Sequence, residues 1–377
     1  MIKVVHFVAS INLTNGVTNM LMNYYRFIDR TKVQFDFIYF IDELFPSFRN
    51  EIEKLGGQAI KVVSPTHYLK FYKQLCNYFD AHPHNQFIFH NHQIAFTALL
   101  KPITSKYKIR RFIVHNHMTK YSDKLISSIR NWLMCMPIRF LDVDYFACSK
   151  EAAISIFGKK RWDQNAVTII NNGIDCSKYC FKQDTRNIVR KKLGIENCLI
   201  FGHVGHFNIV KNHKFIVEIF RNIANEKDNA FLLLVGTGPL KQQTEKLIRQ
   251  YALEDKVIIL ENRDDIPALM NAMDVFLFPS LFEGLGIAAI EAQATGLPVI
   301  MSDTVPKAAN IHNCTILSLN ESASSWGKKA LESYVSPELR ATANRYVEES
   351  EFNIRRLSNH LQTVYEEMAR KTAQGIN

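Results

Sequence analysis

The chain has 377 residues and is 47% apolar, enough for two domains with sizeable cores. It carries a net charge of +10, and no apolar run reaches the roughly 18 residues that would predict a transmembrane helix. Seven cysteines, at 76, 135, 148, 176, 180, 198 and 314, form no Cys-x-x-Cys, which predicts reduced thiols and a cytoplasmic protein without a structural metal.

Residues 1–8 read as a first strand and lack the basic start and cleavage site of a signal peptide. From there strands and helices alternate. The first half predicts strands at 4–10, 35–40, 59–63, 87–90, 109–114 and 145–148, with helical patterns at 18–27, 48–55, 68–82, 94–105, 126–140 and 150–156. Residues 171–175 and 179–190 read as a linker. The second half restarts with a strand at 199–203. It continues through strands at 230–235, 257–260, 275–278, 299–301 and 314–317, helices at 211–226, 240–251 and 266–272, a helix after Glu283, and a closing helix at 357–370. This alternation predicts an α/β chain of two doubly wound, Rossmann-like domains, 1–180 and 181–355, followed by a C-terminal helix over 356–377. Ligands of such domains bind beyond the carboxyl ends of the strands.

Charge is uneven. Residues 1–180 hold 23 Lys/Arg against 13 Asp/Glu, whereas residues 181–377 hold 23 of each. From Lys101 to Arg139 there are nine basic residues and Asp123 before the chain reaches Asp142. A basic face of this kind suits an anionic lipid surface or a lipid-phosphate acceptor. No nucleic-acid motif accompanies it, and no nucleic-acid partner is expected.

The densest motif is Phe282-Glu283-Gly284-Leu285-Gly286-Ile287-Ala288-Ala289-Ile290-Glu291, followed by Thr295-Gly296-Leu297-Pro298-Val299. Two carboxylates stand eight residues apart, at and inside the start of an Ala-rich helix. Glycines there let backbone approach a ligand, and free N–H groups favour an anion. The combination predicts a site for a molecule carrying both phosphate and hydroxyls.

This segment resembles the Glu-x7-Glu signature of retaining glycosyltransferases with the GT-B fold, family four, in the branch that makes bacterial exopolysaccharide and capsule. The resemblance extends over nearly the whole chain and is strongest over 200–310. It implies transfer of a sugar from a nucleotide diphosphate sugar, commonly a UDP-sugar, to a hydroxyl of a glycan or lipid-linked acceptor. It also implies a closing helix packed back on the first domain; the basic face adds the expectation of a peripheral place at the inner face of the membrane. No metal and no cofactor are expected. The sugar, base, acceptor, linkage and oligomeric state are not legible.

On this resemblance Glu283 holds the donor sugar, the amides of Gly284, Leu285 and Gly286 face the diphosphate, and Glu291 accepts from the ribose hydroxyls. Gly205-His206-(x4)-Lys211 resembles the Gly-Arg-(x4)-Lys segment that holds the diphosphate, with His206 in place of the arginine. Gly236 and Gly238 border the nucleotide. Arg263 and Ile266 lie in the segment that reads the base, where Asp265 also reads as a helix cap before Pro267. Gly16 keeps one glycine of a Gly-Gly-x-Glu loop. Asn15 stands for the other, in a left-handed turn, and Thr18 stands for the acid. His117, with His115 as second choice, would lie beside the transferring sugar; His90 and His92, at the same spacing, read as acceptor-cleft or structural residues. His115 and His117 share one face of an extended segment, so a chelate is geometrically open, but no third ligand is evident. Asp142-Val143-Asp144 reads as structural. The departures at His206, Asn15 and Thr18 also admit an accessory glycosyltransferase-like subunit with little turnover.

Overall fold

The computed structural model describes residues 1–13, 15–43, 46–82, 87–118 and 125–374, so Lys120, Asp123 and Lys124 of the basic run lie outside the described residues. Short apolar runs bounded by turns become two parallel sheets. The first contains β1 (Ile2–Val8), β2 (Val33–Tyr39), β3 (Ala59–Lys61), β4 (Phe87–Asn91), β5 (Arg111–Asn116), β6 (Asp144–Ala147) and β7 (Val167–Ile169), in the order β3-β2-β1-β4-β5-β6-β7. The second contains β8 (Leu199–Val204), β9 (Ala230–Val235), β10 (Val257–Leu260), β11 (Val275–Phe278), β12 (Val299–Ser302) and β13 (Cys314–Leu317), in the order β10-β9-β8-β11-β12-β13. Strand order reverses between β1 and β4, and again between β8 and β11. These are the switch points at which doubly wound sheets take ligands.

The inner strands are largely buried on both faces, as parallel sheets covered by helices require, while β3, β10 and β13 are only partly buried. β2 is buried throughout even though it contains Gln34 and Asp36. Asp36 is tolerated there because Lys3 lies 2.9 Å away and the Tyr78 hydroxyl donates to it at 2.7 Å.

The chain divides into two compact units, residues 1–173 with 354–377, and residues 174–353. The first unit thus ends at Gly173, not at 180, and regains the chain at Ile354. The closing helix, Ile354–Ala373, packs on the helix Gly16–Phe27, and Ile354, Leu361, Tyr365 and Met368 join the core of the first unit.

The expected linker over 179–190 is corrected by the structure. It contains most of a helix, Gln183–Leu193, that belongs to the second unit. Within it Arg186 and Arg190 are buried. Arg186 Nη1 donates to the carbonyls of Asn271, Ala272 and Met273 at 3.1, 3.1 and 2.8 Å, and both arginines clamp Asp274, Arg190 at 2.5 Å. The cations satisfy the last carbonyls of the helix Ile266–Ala272. Two other helices run differently from the periodic pattern. Pro137 removes a backbone donor, so the helix Leu125–Cys135 tightens into a 3₁₀ turn at Met136–Phe140. Asn212 is left-handed at φ 55°, so the helix expected from 211 begins at His213 and leaves Lys211 on the preceding loop.

Candidate active site

In the second unit the ends of β8 and β11 carry the site. Two loops leave these strands, 205–212 and 279–286, and the backbone joins them. Leu281 N donates to Val210 O at 2.7 Å, and Asn212 Nδ2 to Pro279 O at 3.2 Å. Asn208 Oδ1 accepts from Lys211 N at 3.1 Å and fixes the turn that presents Lys211. Lys211 Nζ then meets Glu283 Oε1 at 2.6 Å and lies 4.9 Å from the centre of the Phe278 ring. The side chains of Lys211 and Glu283 are only 18% and 12% exposed, so this is a sheltered ion pair and not a solvated one. The expected phosphate-binding cation and the expected sugar-binding carboxylate are brought into direct contact.

Gly286 turns the chain into the helix Ile287–Ala294 at φ +90°, and a Cβ there would lie 3.1 Å from Val305 and 3.2 Å from Phe278. Gly284 has nothing within 4 Å of its Cβ position, so its backbone stays approachable. Leu285, between them, is buried and anchors the loop in the core.

Glu291 lies inside that helix. Its Oε1 accepts from the Tyr179 hydroxyl at 2.6 Å. Burial pushes its carboxyl up to about 7, against the opposing pull of the Tyr179 hydrogen bond and the Lys211 charge. The side chain is therefore poised between its neutral and charged forms near neutral pH.

The remaining donor-side residues are placed as follows. Gly236 and Gly238 pack against the loop after β8. A Cβ on either would strike the carbonyl of Gly205 at 2.1 Å or of Phe207 at 2.5 Å, so these glycines hold two backbones together. His206 is exposed on that loop. Arg263 is exposed and grips Asp265 at 2.8 and 2.5 Å. Asp265 precedes the helix Ile266–Ala272 but makes no side-chain cap, because its carboxylate is spent on Arg263. Ile266 is half-buried against the core. A hollow of about 600 Å³ lies on the far flank of the 208–212 loop, lined by Asn212, Gln243 and Leu247 among others; Lys211, Glu283 and Glu291 do not line it.

In the first unit, β4 and β5 each run into the same tripeptide, His90-Asn91-His92 and His115-Asn116-His117. Alternation places these four imidazoles and His6 of β1 on one face. They form two hydrogen-bonded chains packed ring to ring, with His90 stacked on His92 at 4.3 Å. His6 Nδ1 is 3.0 Å from His92 Nε2, His92 Nδ1 is 2.9 Å from His117 Nε2, and His90 Nε2 is 3.1 Å from His115 Nδ1. His90 Nδ1 continues to the Tyr365 hydroxyl at 2.8 Å. Burial holds all five below the ordinary histidine range, with His6 and His117 down at about 3. They are neutral at pH 7. Asn116 fixes the end of β5 by donating to Met118 O and Ala152 O at 2.6 and 2.7 Å. His92, His115 and His117 border a cavity of about 460 Å³, together with Gln93, Phe96 and Arg130 among others. The sequence argument against a chelate was the lack of a third ligand; the fold supplies one in His92.

Gly16 opens the helix Gly16–Phe27 with free space on its Cβ side. Asn15 is not left-handed as expected. It is extended at φ −84° because its side chain caps the helix, accepting from Thr18 N at 3.0 Å. Thr18 is buried and its hydroxyl is held by Ser10 O at 2.6 Å, so it faces the fold and does not replace the missing acid.

Sequence reasoning missed Tyr179, Phe278, His6 and Tyr365. Each reaches its partner across the fold, and none lies in a motif.

The family model of the glycosyl transferases group 1 matches residues 185–330. The chain is 31% identical over 345 residues to EpsF of Bacillus subtilis (strain 168), which is named as a glycosyltransferase, with 86% of each chain covered. It is 32% identical over 159 residues to the Escherichia coli UDP-Gal:α-D-GlcNAc-diphosphoundecaprenol α-1,3-galactosyltransferase, covering 41% of this chain and 40% of that one. Among solved structures, HepE of Anabaena, crystallised with UDP and glucose, superposes with a TM-score of 0.78 at 16% identity, over 97% of this chain and 100% of that one. The chain belongs to the group 1 glycosyl transferases, and its two parallel-sheet units build the GT-B fold.

Proposed function

We propose that the protein transfers a sugar, with retention at the anomeric carbon, from a UDP-sugar to a hydroxyl of a glycan or lipid-linked acceptor in cell-surface polysaccharide synthesis. The observation that carries this reading is the Lys211–Glu283 pair beside the open Gly284 backbone at the mouth of the Ile287–Ala294 helix. Lys211 and the amides after Glu283 offer positive charge to a diphosphate as it leaves, an electrostatic contribution made without reorganisation. Glu283 accepts from donor-sugar hydroxyls and orients the ring. Glu291 accepts from ribose hydroxyls through the oxygen that Tyr179 does not engage. His117, on the cavity of the first unit, positions a sugar. The leaving phosphate takes the acceptor's proton. The galactosyltransferase named above supports a lipid-linked acceptor, and the UDP and glucose of HepE support the donor class.

The lipid-linked reading has support on the surface of the first unit. On the helix Leu125–Cys135 and the turn after it, Ile126, Ile129, Trp132, Leu133 and Phe140 are 84%, 52%, 42%, 54% and 85% exposed, with Arg130 and Arg139 among them. An apolar face rimmed by cations suits an anionic bilayer surface. No helix of the described residues is long and apolar enough to cross a membrane.

A thermal-shift and hydrolysis screen against UDP-, GDP- and ADP-sugars tests the donor assignment. Stabilisation and slow hydrolysis with a UDP-sugar are expected. Indifference to every donor, together with tight binding of a second protein, would instead mark an accessory subunit. Sedimentation with phosphatidylglycerol vesicles tests the surface, and Ile126→Asp with Leu133→Asp should abolish co-sedimentation.

A further inference from the structure

We infer that His92, His115 and His117 form a binding site for one divalent transition-metal ion of the zinc class. One nitrogen from each residue lies within 4.8 Å of the other two. Zinc–imidazole bonds of about 2.0–2.1 Å in a tetrahedron put ligand nitrogens about 3.3 Å apart. His92 Nδ1 and His117 Nε2 already stand at 2.9 Å, so little movement is needed. His115 contributes the second, independent observation. Its Nδ1 is engaged by His90, whereas its Nε2 is buried without a hydrogen-bond partner among the described residues. A buried ring nitrogen left without a partner costs free energy that a metal ion would recover.

The surroundings complete the chemistry. Metal-ligating imidazoles need their other ring nitrogen held, which fixes tautomer and aim. With His92 protonated on Nε2 and His90 and His115 on Nδ1, His6 Nδ1 accepts from His92, His90 Nε2 accepts from His115, and His90 Nδ1–H donates to the Tyr365 hydroxyl. In this arrangement His92 Nδ1 and His115 Nε2 carry lone pairs, and His117, whose Nε2 donates to His92 Nδ1, binds an ion after its proton moves to Nδ1. A second triad, His6, His90 and His92, is equally close. It is buried on all three members, and two of them already serve as orienting partners. Of the two triads only His92–His115–His117 has all three members lining the cavity, since His6 and His90 do not, so free space for a fourth ligand lies beside it. Three nitrogen ligands with an open position form the donor set of reactive zinc sites, and do not match the closed four-ligand set of structural ones. The inference stands on the first unit alone and is independent of the Lys211 and Glu283 assignments, but it makes His117 a metal ligand in place of the sugar-positioning role proposed above.

The test uses the full chain without an affinity tag, stripped by chelator and dialysed at pH 7.5. Titration with Zn²⁺ alone should show one saturable site per chain, and Co²⁺ alone should develop the intense visible bands of a low-coordinate nitrogen site. His115→Ala and His117→Ala should each lower Zn²⁺ affinity at least tenfold. His117→Gln, at the least buried of the three positions, provides a second variant should either alanine change fail to fold, and should lower affinity equally. Absence of saturable Zn²⁺ uptake by the wild-type chain overturns the inference whatever the variants do. Unchanged affinity in folded His115 and His117 variants also overturns it, since the ion would then sit elsewhere.

Discussion

The Tyr179 hydroxyl donates to Glu291 Oε1 at 2.6 Å, tying a carboxylate of the densest motif to a residue 112 positions earlier in the chain. This bond lowers a carboxyl that burial alone pushes up, and leaves it at about 7. Tyr179→Phe should therefore raise the Glu291 pKa further and leave the carboxyl mostly protonated at pH 7. A protonated carboxyl is a poorer acceptor for ribose hydroxyls. Donor Kd measured by calorimetry is expected to weaken several-fold at pH 7 and recover toward wild type by pH 9. Equal weakening at both pH values would show that Tyr179 acts by packing alone.

Lys211→Ala removes the cation from the diphosphate side and strands Glu283 in a sheltered site. Donor affinity should fall about tenfold to a hundredfold, the range of one hydrogen bond to a charged group. Glu283→Gln keeps the shape and should cut turnover by about an order of magnitude or more, with a smaller change in KM. Wild-type turnover in Glu283→Gln would remove the carboxylate from the mechanism.

Asp274 is enclosed by Arg186 and Arg190, and also accepts from Ile200 N at 2.7 Å. Asp274→Asn leaves two buried guanidinium groups without their counter-charge. A loss of about 3–5 kcal/mol in the stability of the second unit is expected, read as a lower urea midpoint. A loss below about 1 kcal/mol would mean that the carbonyl contacts of Arg186 carry the helix without the carboxylate.

Two buried groups bend the stability–pH curve in opposite directions. His213 is stacked on Phe207, its ring nitrogens have no partner among the described residues, and burial lowers it to about 4. Its unfolded form takes up a proton below its ordinary 6.5, so its contribution to stability is whole above that value and is lost as pH falls toward about 4. Glu291 is raised from 4.5 to about 7, so its contribution is whole below 4.5 and is lost as pH rises through 7. His213→Phe should remove about 1.4 kcal/mol per pH unit of slope in the acid window, and Glu291→Gln should flatten the curve between pH 5 and 7. Chemical denaturation across pH 4.5–8 reads both.

What the chain's own order determined is what local chemistry controls. Apolar runs of four to seven residues and their alternation with helical stripes fixed two doubly wound sheets, because a parallel strand buried on both faces is mostly apolar and its few polar residues must find partners. The Gly284–Gly286 turn and the helix after it were legible for the same reason: glycine and helix starts act over a few residues, whereas the left-handed Asn212 that keeps Lys211 on its loop was not. The helix Gln183–Leu193 was not, because its arginines look solvated until Asp274 and the carbonyls of another helix are brought to them. Nor could spacing show that His6, His92 and His117 touch, since their strands are far apart in the chain and only sheet order sets β1, β4 and β5 side by side. Pairing across a parallel sheet is a property of the packed fold, as is the burial that keeps those imidazoles neutral and lifts Glu291 toward 7.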